Sequence, residues 1–253
     1  MLIVCRLVLV AVFSAGTLVL PALAQDETLP PVEESTADPG VADPVPEPTA
    51  APQPVAPSPT ATPRPAGPGT VLLEDNFDDP TRASLPLTST GPGTRSLGYV
   101  DGEYEIQSGL TTPGVVGAPV PETGADTSIA VDGRVYGGPD TRGIYVLCRW
   151  SQVDGVVAAY RFGVLPAQGR FTLERQDGTR VVSLVGQPSS AIRTGEAMNR
   201  IELTCVGATI TASINGTQVA AVQDITYATG RHFIGVNGAG STGRFDNLVV
   251  TQR

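Results

Sequence analysis

The chain has 253 residues and a formal net charge of -9, from 16 basic and 25 acidic residues, and every basic residue is Arg. With no basic cluster anywhere, this balance argues against nucleic-acid binding and against docking on anionic lipid. The length allows one or two domains, but the first 69 residues are an apolar leader and a Pro-rich tract, which leaves a single globular unit from Thr70 to Arg253.

The leader, Met1 to Ala24, has a short start carrying Arg6, an uncharged apolar run from Leu7 to Leu20, and Pro21 before Ala22-Leu23-Ala24. This is the pattern of a secretory signal peptide, cut between Ala24 and Gln25. An uncleaved anchor helix is the alternative, since Leu7 to Ala24 sits at the lower edge of a membrane span. Gln25 to Gly69 then holds thirteen Pro and no aromatic residue. Such a segment cannot build a core and reads as a disordered spacer. At about 3.1 Å per residue in polyproline II it would reach roughly 140 Å. The expected localisation is secreted and extracellular, with tethering to the cell surface as the alternative.

From Val71 onward, short alternating or β-branched runs are punctuated by Gly, Asp and Pro, which signals an all-β domain. Val71 to Phe77 reads as a first strand. Leu97 to Val100 and Glu103 to Gln107 flank Asp101-Gly102, a strong hairpin signal. Thr127 to Val135 alternates as a strand with one buried face. Gly143 to Ser151, GIYVLCRWS, is the clearest strand, with Ile144, Val146, Cys148 and Trp150 expected on one face and Tyr145, Leu147 and Arg149 on the other. Val156 to Val164, Arg170 to Arg175 and Arg180 to Val185 continue it as a four-strand meander. Ser189 to Met198 is the one candidate for a helical or irregular crossing. Arg200 to Val206, Thr209 to Ile214 and Thr217 to Gln223 form a second meander, with Asn215-Gly216 as another hairpin turn. Arg231 to Val236 and Arg244 to Thr251 close the chain. About twelve strands suit two packed sheets, a two-sheet antiparallel β-sandwich.

Removal of the leader leaves Cys148 and Cys205, each in mid-strand among apolar neighbours. An even pair in an oxidising compartment should be bonded. Two Cys with one distant His232 do not make a zinc site.

Four segments, GYVDGEYEI, GIYVLCRW, AIRTGEAMNRIELTCVGATITASINGTQVA and GRFDNLVVTQ, together resemble the concanavalin A-like, laminin-G-like jelly-roll domains of secreted bacterial proteins. The resemblance spans nearly all of Thr70 to Arg253. It implies two curved antiparallel sheets with the first and last strands side by side. The same superfamily holds lectins, adhesion modules, laminarinase-type glycosidases and keto-disaccharide hydrolases, so fold does not decide activity.

Glycoside hydrolysis needs two carboxylates about 5 to 10 Å apart. Asp101, Glu103 and Glu105 share one strand face, yet they depart from the Glu-x-Asp order and place of laminarinase-type relatives and read as a solvated hairpin face, so no catalytic residue is assigned. Asp75, Asp78 and Asp246, with Glu74 and Asp79, would gather oxygen ligands if the terminal strands pair; a structural Ca2+ suits such a set, whereas turn chemistry explains it without an ion. No other cofactor is implied. For sugar binding, the strand phase collects Tyr145, Arg149, Arg161, Arg170 and Glu174 on one meander face with Trp150 at its edge, although packing and a cross-strand charge ladder explain the same residues. The expected function is a monomeric, non-enzymatic recognition module that binds an extracellular glycan or cell-surface polymer through the concave sheet. A glycoside or keto-disaccharide hydrolase and a structural spacer are the alternatives.

Overall fold

The computed structural model describes residues 69–87 and 94–253. The expected signal peptide, and the linker up to residue 68, lie outside them. Fourteen strands run in chain order: β1 Val71–Asp75, β2 Thr94–Val100, β3 Glu103–Ser108, β4 Val115–Gly124, β5 Thr127–Tyr136, β6 Gly143–Val153, β7 Val156–Leu165, β8 Arg170–Asp177, β9 Arg180–Pro188, β10 Asn199–Val206, β11 Thr209–Ile214, β12 Thr217–Gln223, β13 Gly230–Asn237 and β14 Thr242–Gln252. They form two antiparallel sheets, as expected. One has six strands in the order β4-β13-β6-β7-β8-β9; the other has eight, β12-β11-β10-β5-β14-β3-β2, with β1 also paired to β14.

The turn chemistry decides much of this order. Asp101-Gly102 and Asn215-Gly216 both take positive φ at both central residues, 55° and 77° and then 49° and 80°. These values close the tight hairpins β2–β3 and β11–β12, because their twist matches that of the flanking strands. Both meanders are present, β6 to β9 in one sheet and β10 to β12 in the other. The terminal strands also meet: β3 and β1 share one edge of β14, β3 along Thr242 to Phe245 and β1 along Leu248 to Thr251. One element differs from expectation. β4 was not foreseen, because two Pro and two Gly disguise it; it is an edge strand, where Pro119 and Pro121 need no ladder donor. The crossing Ser189 to Met198 is irregular and contains no helix.

The two inner faces bury Ile144, Val146, Phe162 and Phe171 against Ile129, Ile201, Phe245 and Val250. Each such side chain contributes about 1.5–3 kcal/mol on full burial. Cys148 on β6 and Cys205 on β10 are bonded, with their Cα atoms 6.7 Å apart, so the disulfide ties one sheet to the other.

Immediately after Cys148 the alternation breaks. Arg149 has φ 51°, and the pairing of β6 with β7 shifts between Cys148 and Ser151. This β-bulge inserts one residue and inverts the facing of the strand beyond it. Trp150 therefore joins Tyr145 and Leu147 on the outer face, not Cys148 on the inner one. The guanidinium of Arg149 is buried and donates to the carbonyl oxygens of Ala125 (3.0 Å), Gly207 (2.7 Å) and Tyr227 (2.7 Å). One side chain thereby joins the β4–β5 turn, the β10–β11 turn and the chain between β12 and β13.

His232, on β13, is fully buried, and neither ring nitrogen has a hydrogen-bond partner. Loss of water pushes its pKa down from 6.5 to about 4.

Unfolding measurements should register both the disulfide and the histidine. Replacing both Cys148 and Cys205 by Ala should lower the unfolding free energy by about 2–4 kcal/mol in urea titrations, as expected for a bridge closing a loop of this size. Because the folded chain holds His232 neutral while the unfolded chain protonates it near pH 6.5, stability should be intact above that pH. It should then fall by about 3 kcal/mol between pH 6.5 and 4. In a His232→Leu variant this step should disappear from the pH dependence of the urea midpoint.

Candidate functional site

The outer face of the six-stranded sheet receives most of the residues expected to bind sugar, and it packs them against one another. Tyr145 is only 3% exposed. A Cβ at Gly163 would come within 2.3 Å of the Tyr145 ring, so the ring lies across a position kept bare by glycine. Arg161 covers the other side of that ring, its guanidinium carbon 5.5 Å from the centroid. Glu174 then fixes Arg161 through a 2.6 Å ion pair. Trp150, 8% exposed, stacks on Phe233 at 5.5 Å and is covered by Arg231. Arg170 lies farther along the face, beside Gly186. Tyr145, Arg161, Glu174 and Trp150 are thus together, whereas Arg149 is 2% exposed and committed to the turns. The aromatic faces are already occupied by this chain's own side chains.

An open concavity lies on the opposite sheet. There β3, β14 and β5 lie side by side, and alternation along each points a polar set outward. Register aligns these sets in rows across the strands. Arg244 stands opposite Glu105 on one side and Arg134 on the other. In the next row Asp246 stands opposite Asp132, and one further step beyond the Phe245–Tyr104 pair brings it to Glu103. Arg244 donates from Nε to Glu105 (2.6 Å) and from Nη1 to the carbonyl oxygen of Val100 (2.9 Å). Arg134 donates to Glu103 at 2.6 Å, and the Tyr136 hydroxyl to Glu105 at 3.3 Å.

Three loops wall this floor. The Asp101-Gly102 turn approaches so closely that a Cβ on Gly102 would sit 2.9 Å from the Asp78 carboxylate. Glu196 comes from the irregular crossing, which is pinned by the buried amide of Asn199: the Arg193 N–H donates to it (2.9 Å), and it donates to the carbonyl oxygens of Arg193 (2.9 Å) and Ala197 (3.1 Å). The resulting groove is about 700 Å³, lined by Asp78, Asp101, Gly102, Glu103, Arg134, Tyr136, Glu196, Arg244 and Asp246. That size is within the range of small-molecule sites.

Desolvation, and then the like charges of Asp132, Asp78 and Glu103, raise the pKa of Asp246 above the usual carboxylate value. The three carboxylates considered for an ion part company. Asp75 is buried and turned inward, accepting from the Phe77 N–H (2.9 Å) and the Tyr99 hydroxyl (3.1 Å). Only Asp78 and Asp246 reach the groove. Among the described residues, no group of three or more His, Cys, Asp or Glu side chains is placed to hold a metal ion.

Sequence reasoning passed over Arg134, Tyr136 and Arg244, and read Glu103 and Glu105 as solvated. Asp101 is 85% exposed, but Glu103 and Glu105 are drawn into the ion network, their side chains 14% and 12% exposed. The available signal was the period-two polar pattern at 103/105, 132/134/136 and 244/246; the pairing of those three strands was the missing information.

No protein-family model matches the sequence, and no curated protein does. Solved structures do resemble the fold. A Bacillus subtilis protein of unknown function with a galectin-like fold superposes with a TM-score of 0.55 at 12% identity, over 74% of this chain and 97% of that one. A Zobellia galactanivorans kappa-carrageenase gives 0.53 at 11%, over 76% and 98%. A Bacillus subtilis carbohydrate-binding module gives 0.52 at 13%, over 66% and 100%. These likenesses bear on the fold: the domain is a concanavalin A-like, galectin-like jelly roll.

Proposed function

We propose that this protein is a secreted recognition module that binds an extracellular glycan in the groove on the outer face of the eight-stranded sheet. The carrying observation is preorganisation. Arg244, Glu103, Glu105 and Arg134 are held by short cross-strand ion pairs before any ligand arrives, so little side-chain entropy is lost on binding. Guanidinium donors and carboxylate acceptors lie within reach of one another on the floor, which suits the hydroxyls of a saccharide, each of which both donates and accepts. The structural likeness to a carbohydrate-binding module supports the same reading. The signal peptide, the disulfide and the Pro-rich tract support export, with the linker acting as a stalk; among the described residues no helix is long and apolar enough to cross a membrane.

A second reading, glycoside hydrolysis, is favoured by one observation. Glu103, Asp246 and Asp132 lie one strand apart in a row, and Asp246 has the raised pKa that a general acid needs. Neighbouring strands are about 4.8 Å apart, which places the row within the separations glycosidases use.

The two faces are separable by mutation. On immobilised bacterial cell-wall polysaccharide, Arg244→Ala should weaken retention at least about tenfold, since it removes an anchored donor and leaves the buried Glu105 carboxylate without its ion-pair partner. Arg161→Ala, on the opposite sheet, should leave retention unchanged; the reverse pattern would move the site to the six-stranded face. Hydrolysis is read separately: the protein incubated with the same polysaccharide should release no reducing ends, and release abolished by Asp246→Asn would establish the enzymatic reading in place of simple binding.

A further inference from the structure

The row of carboxylates across the groove is costly to build. Like charges directly opposite one another on neighbouring strands destabilise a sheet, and here Asp246 has Asp132 on one side and Glu103 on the other. Of this row, only Asp246 has no cation beside it. Arg134 is engaged with Glu103, and Arg244 with Glu105, Glu103 and Asp101. Arg200 serves Asp132 at 3.7 Å. Among the described residues, no Arg lies within 4.0 Å of Asp78, Glu196 or Asp246. The lining as a whole counts five carboxylates against two guanidiniums, a net of -3. In a region otherwise satisfied by ion pairs, a local rule is broken at an open concavity, and such violations gather at binding sites.

Two kinds of cation could relieve the row. A metal ion needs its oxygen ligands drawn in to about 2.0–2.6 Å, and no group of three described acidic side chains is placed to do that. An ammonium group accepts a looser arrangement, since its three N–H donors each reach a carboxylate at about 2.7–2.9 Å. We propose that the groove recognises saccharides bearing free amino groups, with the ammonium seated against Asp246 and flanked by Asp78 and Glu196, and that it discriminates against uronate- and sulfate-bearing glycans. This rests on the groove being the glycan site and adds the chemical class of the glycan. The floor supports the assignment. Arg134 and Arg244 sit one row away from Asp246 and Tyr136 one row farther, so a sugar ring can be held through its hydroxyls while its amine meets the carboxylate row. Desolvation first, and then the neighbouring carboxylates, raise the Asp246 pKa, and an incoming cation would relieve the second of these.

The test is calorimetric titration of the full-length protein with four probes: chitosan oligosaccharide, its fully N-acetylated counterpart, a cello-oligosaccharide and oligogalacturonate. Chitosan should bind at least about tenfold tighter than the N-acetylated form at low ionic strength, oligogalacturonate should be the weakest, and the chitosan advantage should shrink as salt is raised. In Asp246→Asn the ratio of chitosan to N-acetylated affinity should fall towards one. In Asp154→Asn, which changes a carboxylate at the β6–β7 turn of the other sheet, the ratio should be unchanged. Equal affinity for the amine-bearing and N-acetylated probes overturns the proposal while leaving a glycan site in place, as does a preference that survives Asp246→Asn. If none of the four probes binds, the glycan reading fails and this proposal fails with it.

Discussion

The single inserted residue at Arg149 is the constraint on which most of the domain depends. It comes directly after the disulfide that joins the sheets, so the covalent tie and the bulge act on the same turn of backbone. A non-glycine residue at φ 51° is conformationally strained by about 1 kcal/mol or more. The compensation is the guanidinium, which satisfies carbonyl oxygens from three separate turns. Hydrogen bonds from a charged donor are worth about 1.5–3 kcal/mol each, enough to offset the strain. Gly230 is part of the same arrangement: a side chain there would meet the Arg149 backbone at 2.4 Å, so β13 closes on β6 only because that position is bare.

The two outer faces show how the same residue types yield opposite surfaces. Both carry Arg–Glu pairs at 2.6 Å. On the six-stranded sheet the Arg lies over an aromatic ring that itself lies over glycine, so the layers stack downward and the surface closes. On the eight-stranded sheet the pairs run sideways between strands, leaving the space above them free, and loops rather than side chains form the rim. Whether a face is open therefore depends on glycine placement beneath the charges as much as on the charges themselves.

Much of the architecture was legible because its signals are local. Asp101-Gly102 and Asn215-Gly216 specify hairpins through the φ values they require, and Cys148 and Cys205 could be paired from compartment and count. The features that escaped were non-local or broke parity. Reading β6 with a strict period of two put Trp150 inside and Arg149 outside; one bulge inverted both, and no residue type announces a bulge. β4 was hidden because Pro119 and Pro121, which argue against a central strand, are compatible with an edge. The groove was the largest omission. Its residues come from β3, β5, β14 and three loops, separated by more than a hundred positions, and only the order of strands in the sheet makes neighbours of Glu105, Arg134 and Arg244.

The position of β1 has a mechanical consequence. Its pairing places Val71 opposite Thr251 and Asp75 opposite Leu248, with the Gln252 N–H donating to the Thr70 carbonyl at 2.8 Å. The linker therefore enters at one end of β1, while Asp78, just past the other end, stands in the groove wall. If the N-terminal segment acts as a stalk, as proposed, a pull between it and a ligand in the groove would run along the strand axis and load the β1–β14 hydrogen bonds together, in shear, rather than peeling them apart one at a time. The shortest strand of the larger sheet is in this way placed as its anchor, oriented along the direction of tension.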